Sequence, residues 1–156
     1  MDAPPPHAYP RRMRNHPGYT LIELTLVLLL ATLLLTAAAP SMIRGRRVVA
    51  VRAARGELIS AIAAARSAAI LTGGATAVID GPAAAVWIES ADGVRIGDAR
   101  SLGATHGVHL ELDRGTRASL RFDALGIGRL ANAAVRIRRG DVTARITVSA
   151  YGRVRS

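Results

Sequence analysis

Apolar residues dominate the chain from residue 21 to residue 39, and this nineteen-residue run contains one charge, Glu23. A helix of that length extends about 29 Å, close to the hydrocarbon thickness of a bilayer. The run is too long for the apolar core of an ordinary secretory signal, and no A-x-A cleavage site bounded by a polar stretch follows it. A 156-residue protein could hardly surround a helix that is apolar on every side. The pattern therefore predicts one membrane-spanning helix.

Beyond Pro40 the pattern changes to that of an amphipathic helix. Its apolar residues are spaced by seven, four, three and four positions, namely Val51, Leu58, Ile62, Ala65 and Ala69. Pro40 cannot donate a backbone hydrogen bond, and helical signals resume directly after it, so we expect a kinked helix that continues. The glycine pair at residues 73–74 predicts its end.

From residue 75 onward, short segments rich in β-formers alternate with glycine-containing turns. The predicted strands cover residues 75–80, 84–89, 108–113, 118–123, 134–139, 142–149 and 151–155. Residues 90–107 have no clear pattern and are expected to form an exposed loop. The predicted fold class is α+β, with a long N-terminal helix packed on a C-terminal antiparallel sheet domain.

Arginine supplies all 21 basic residues, and the 11 acidic residues leave a net charge of +10. This charge favours contact with polyanions or anionic lipid surfaces. There is no cysteine, and the aromatic content of 3% is low for a protein that stacks on bases. His106 and His109 are three residues apart in sequence that favours a strand, where they would face opposite sides. Because no nucleophile–base pair or metal-ligand cluster is visible, we expect neither an enzyme nor a cofactor.

The last hairpin concentrates positive charge. A two-residue turn at residues 140–141 pairs residue 139 with 142, which places Arg136 directly opposite Arg145. Like charges in that position are destabilising, so solvent and salt, nearby acids or a polyanion must offset them. Five arginines form a candidate polyanion-binding site: Arg136, Arg138, Arg145, Arg153 and Arg155.

The segment before the apolar run is basic and proline-rich, and residues 18–23 read Gly-Tyr-Thr-Leu-Ile-Glu. This junction resembles the prepilin-type signal, with Tyr19 replacing the commoner phenylalanine. The resemblance implies cleavage after Gly18 by a prepilin peptidase on the cytoplasmic face, followed by N-methylation of Tyr19. It also assigns subunit assembly to Glu23, the fifth mature residue, which would pair with the amino terminus of a neighbouring subunit.

Three further stretches resemble the GspH-type pseudopilins of type II secretion and the related FimT-type minor pilins. They are residues 64–70, residues 122–129 and residues 148–154. Members of these families often have an acid where this chain has Ala68, and here residues 127–128 lengthen a turn that is usually shorter. The resemblance implies a pilin-like fold with four parts: a cleaved leader (1–18), a transmembrane helix (19–40), its amphipathic continuation (41–72) and a β-rich periplasmic domain (73–156).

The function implied is that of a minor pseudopilin, a structural subunit of the periplasmic filament that drives protein export. The alternative is a FimT-like minor pilin whose basic C-terminal surface binds DNA for uptake. The expected partners are other pseudopilin or pilin subunits, the prepilin peptidase and methyltransferase, membrane lipid and, in the alternative, DNA. Arginines flank the apolar run on both sides, so charge alone does not orient it. The resemblance places the protein in the bacterial inner membrane as a single-pass protein with a periplasmic C-terminal domain.

Overall fold

The structure is a computed structural model that describes residues 19–129 and 132–155. The chain divides into two compact units, of which the first ends at Ala39 and the second begins at Pro40. Helix α1 covers Leu21–Thr72 and continues through Pro40. Its apolar part is long enough to cross a membrane, and none of the most apolar stretch is buried. Gly73, with φ of +83°, follows the last helical residue, as the sequence predicted.

Two antiparallel sheets form the rest of the second unit. The first has five strands in the order β3-β2-β1-β5-β6, and the second has four in the order β4-β7-β8-β9. The strands of the first sheet are β1 (Gly74–Asp80), β2 (Ala85–Ser90), β3 (Arg95–Ser101), β5 (Arg117–Asp123) and β6 (Gly128–Arg129). Those of the second are β4 (His109–Leu112), β7 (Ala133–Arg139), β8 (Val142–Val148) and β9 (Val154–Arg155).

One hydrophobic core joins the second half of α1 to both sheets. All five residues of the predicted helical stripe are buried, and they pack in one cluster with Phe122 and Ile79 of the first sheet and Val135 and Ile146 of the second. The predicted α+β class, with a long helix on antiparallel sheet, is therefore confirmed.

The prediction of a loop over residues 90–107 was wrong. This region contains β3 and a short helix, α2 (Leu102–His106). Strand β3 lies at the edge of its sheet and is exposed at six of its seven residues, so no alternation of apolar side chains marked it. Helix α2 is capped at both ends, because Ser101 accepts a hydrogen bond from the Ala104 N–H and Gly107 adopts a left-handed conformation.

Two further expectations need correction. His106 ends α2 and His109 begins β4, so the two histidines do not share a strand. The last strand is shorter than predicted, because residues 149–152 form a turn in which the Gly152 N–H donates to the Ser149 carbonyl (2.8 Å). Strand β6 was not predicted, since two residues carry no periodicity.

Candidate functional site

The predicted assembly residue, Glu23, lies in the first turn of α1 and is exposed. Thr20 caps this turn, because its Oγ1 accepts a hydrogen bond from the Glu23 N–H (3.2 Å). A carboxylate three residues after such a cap also suits the positive end of the helix dipole. Tyr19 is 87% exposed. Gly18, on the other side of the predicted cleavage site, lies outside the described residues. The kink expected at Pro40 stays a prediction.

The three stretches that carried the family resemblance meet at one place in the second unit. We call it the glycine junction and define it by Arg66, Phe122, Gly126, Gly128 and Gly152. One guanidinium nitrogen of Arg66 donates to the Gly152 carbonyl at 2.6 Å, and the guanidinium carbon lies 5.5 Å from the centre of the Phe122 ring. A cation at that distance from a ring is stabilised by the ring quadrupole. Arg66 therefore ties α1 to both β5 and the C-terminal segment.

Close contacts explain the glycines of the junction, all three of which are buried. A Cβ atom on Gly128 would lie 2.5 Å from the Gly152 nitrogen, and one on Gly126 would lie 2.9 Å from Cγ of Arg66. Gly152 has φ of +76°, and a Cβ there would lie 2.6 Å from the Phe122 ring. Larger residues do not fit unless the backbone beside Gly128, the Arg66 side chain beside Gly126 or the Phe122 ring beside Gly152 moves.

Asp123 organises the turn that carries Gly126. Its carboxylate accepts hydrogen bonds from the backbone N–H groups of Leu125 (3.0 Å) and Ile127 (2.9 Å) and from Nε of Arg129 (3.1 Å). The Ile127 N–H lowers the pKa of Asp123 below its ordinary value, and Arg129 lowers it further against the effect of desolvation. The carboxylate thus holds the longer turn in a fixed shape.

The five arginines of the predicted polyanion site fall into two groups. Arg136 lies directly opposite Arg145, as the turn length predicted. Strand β4 borders β7, and its Glu111 contacts both Arg136 (3.3 Å) and Arg138 (3.4 Å). Asp113, just after β4, contacts Arg145 at 2.7 Å. Nearby acids therefore offset this like-charge pair.

Arg153 and Arg155 form the second group. Both are exposed, and neither forms an ion pair with an acid among residues 19–129 and 132–155. Arg153 directly follows Gly152 of the glycine junction, so the junction fixes the start of this charged segment.

Comparison with protein-family models gives a match that covers the glycine junction. The family model described as type II transport protein GspH matches residues 53–152, a range that contains the whole glycine junction. A long helix packed on antiparallel sheets is a pilin-like fold, and the chain belongs to the GspH family. Comparisons with curated proteins and with solved structures found no match.

Sequence reasoning missed two sets of residues. Glu111 and Asp113 were not linked to the arginines, because nothing in the sequence indicates that β4 borders β7. The glycine junction was quoted as three separate motifs, and its members come together only through contacts between distant parts of the chain. Glycines clustered beside Phe122 and near the C-terminus were the one signal of a close backbone approach.

Proposed function

We propose that this protein is a minor pseudopilin of a type II secretion system, a non-catalytic structural subunit of the periplasmic filament that drives protein export. The observation that carries the proposal is the GspH family match over residues 53–152, in a chain whose 52-residue helix begins with a membrane-length apolar run. The proposal includes cleavage after Gly18, methylation of Tyr19 and insertion in the inner membrane with the C-terminal domain in the periplasm.

Assembly in this proposal depends on Glu23. A carboxylate within a membrane-spanning segment is costly unless it finds a partner. Cleavage creates a cationic amine on Tyr19, and in a bundle of staggered parallel helices the amine of one subunit can meet Glu23 of the next. The capped helix end already stabilises Glu23 within its own subunit, but a full positive charge stabilises it more than a helix dipole does.

A complementation experiment tests the secretory role. In a host that lacks the gene, the wild-type chain should restore release of the secreted proteins into the medium, and natural transformation should be unaffected by the deletion. Matched expression of the Gly18→Glu variant, which cannot be processed, serves as the negative control. Normal secretion in the deletion host would contradict the proposal.

The second candidate is a minor pilin that binds DNA for uptake. It is favoured by one observation, the exposed Arg153 and Arg155 without acidic partners among the described residues. The chain after Gly18 carries 18 arginines and 10 acids, and its net charge of +8 suits contact with phosphates. Against it, Glu111 and Asp113 already neutralise part of the predicted surface.

The salt dependence of DNA binding by the detergent-solubilised full chain decides this candidate. If both C-terminal arginines contact phosphates, replacing them by alanine should reduce the slope of log affinity against log salt by about two. Replacing Arg136 and Arg138 instead is the matched control and should change the slope less, because Glu111 contacts both. No binding at low salt would remove the candidate.

A further inference from the structure

A groove lies at the start of the second unit, between the first turns of α1 after Pro40 and the end of α2. Its volume is about 470 Å³, and its floor includes Met42, Gly45, Val49 and Ala53 of α1. Met42 and Val49 are 64% and 65% exposed. Exposed apolar side chains grouped in a concave surface favour an apolar ligand.

Two arginines, Arg46 and Arg139, line the same groove. Arg139 donates to the His106 carbonyl at 2.7 Å, which fixes its position and leaves other N–H groups available. Arg46 forms no ion pair within the part of the chain that the structure describes. These donors suit a phosphate group.

Two acids that contact residues of this region already have partners. Glu57 contacts Nε2 of His106 at 2.8 Å, and His106 is a lining residue. Asp141, at the tip of the β7–β8 hairpin, contacts Arg47 at 2.8 Å and Arg44 at 3.7 Å. Among residues 19–129 and 132–155, no aspartate or glutamate lines the groove itself. The local charge therefore favours an anionic ligand.

Along the chain, the groove begins at Met42, two residues beyond Pro40, where the predicted membrane span ends. Pro40 directly follows the apolar run, and residues 40–47 are helical. At 1.5 Å per residue, Arg46 lies about 9 Å along the helix from Pro40. The headgroup layer extends roughly 5–8 Å beyond the hydrocarbon core, and a long arginine side chain can reach back toward it.

We propose that this groove binds one anionic glycerophospholipid, with its phosphate on Arg46 and Arg139 and its first methylene groups against Met42 and Val49. Free phosphate would use the two arginines but not the apolar floor. A zwitterionic lipid would use the floor, but its own cation would weaken the contact with the arginines. The inference rests on the membrane-anchored part of the proposed function and not on the secretory role.

The test uses the full chain purified in a neutral detergent. Thermal unfolding by circular dichroism and lipid retention by native mass spectrometry are measured with phosphatidylglycerol and with phosphatidylcholine of the same acyl chains. We expect phosphatidylglycerol to raise the unfolding temperature and to remain bound as one copy. Arg46→Gln should weaken the apparent affinity about fivefold, and the double variant with Arg139→Gln about 25-fold.

Two controls separate the groove from general attraction by charge. The double variant Arg100→Gln/Arg114→Gln removes two exposed arginines elsewhere and should bind phosphatidylglycerol like the wild type. Ala53→Glu keeps every arginine but places an acid in the groove, and it should abolish the preference for phosphatidylglycerol. The inference is overturned if both lipids bind equally, if inorganic phosphate stabilises the chain as much as the lipid, or if the control variant loses as much affinity as the groove variant. A chain that binds the lipid here but does not restore secretion would contradict only the proposed function.

Discussion

Replacing Gly128 by alanine tests the close contact between β6 and the C-terminal segment. The added Cβ would lie 2.5 Å from the Gly152 nitrogen, 2.8 Å from its Cα and 2.8 Å from the Tyr151 carbonyl carbon. These are backbone atoms, so no flexible side chain can move aside. Gly128 does not have a positive φ, and the variant therefore measures the contact alone.

The expected cost follows from overpacking a buried position. Inserting atoms into a well-packed interior costs about 1–3 kcal/mol. A loss of about 2 kcal/mol in the free energy of unfolding would lower the melting temperature of a domain of this size by about 10 °C. If the junction opens locally, trypsin should also cut sooner after Arg153, because the Arg153–Val154 bond lies one residue beyond Gly152.

Gly56→Ala is the matched control, since Gly56 lies in α1 and a Cβ there meets nothing within 4 Å. Alanine is the better helix former by about 1 kcal/mol, so this variant should be more stable than the wild type. Opposite signs for the two substitutions are the expected result. Equal melting temperatures for Gly128→Ala and Gly56→Ala would refute the account of the junction.

Three further predictions concern processing, assembly and acid stability. The intact mass of membrane-extracted protein should correspond to a chain that begins at methylated Tyr19, whereas Gly18→Glu should retain the leader. Glu23→Ala should still insert in the membrane but enter filaments several-fold less, as measured in sheared filament fractions; incorporation at the wild-type level would contradict its role. Stability should fall as the pH decreases below about 4, because hydrogen bonds and ion pairs lower the pKa of Asp80, Asp123 and Asp141 from the ordinary 3.8 and the unfolded chain then binds more protons. Asp123→Asn should reduce this dependence, and an unchanged acid profile would count against it.

The parts of the fold that depend on local pattern could be predicted from the sequence. The helical stripe from Val51 to Ala69 was visible because every buried residue of that helix repeats with the helical period. The opposition of Arg136 and Arg145 was visible because a two-residue turn fixes the register of its hairpin.

The remaining features depend on contacts between distant residues. Strand β3 is an exposed edge that pairs through its backbone, and its sequence gives no period-two signal. The acids that neutralise Arg136 and Arg145 come from β4 and the residue after it, and only the strand order brings them together. The glycine junction joins α1, β5, β6 and the C-terminal segment, so no single stretch of sequence reveals it.

In-cell crosslinking tests the central claim most directly, because the chain contains no cysteine and a single one can be introduced cleanly. Val27 is 56% exposed and lies in the apolar part of α1, so Val27→Cys places a thiol where subunits in a filament would meet. Under oxidation, with single-cysteine versions of the other pseudopilins expressed alongside, the account predicts disulfide-linked heterodimers that weaken when Glu23→Ala is added. The contradicting result is that the introduced cysteine forms disulfide-linked products efficiently but none of them contains another prepilin-type subunit. The protein would then not be a component of the filament.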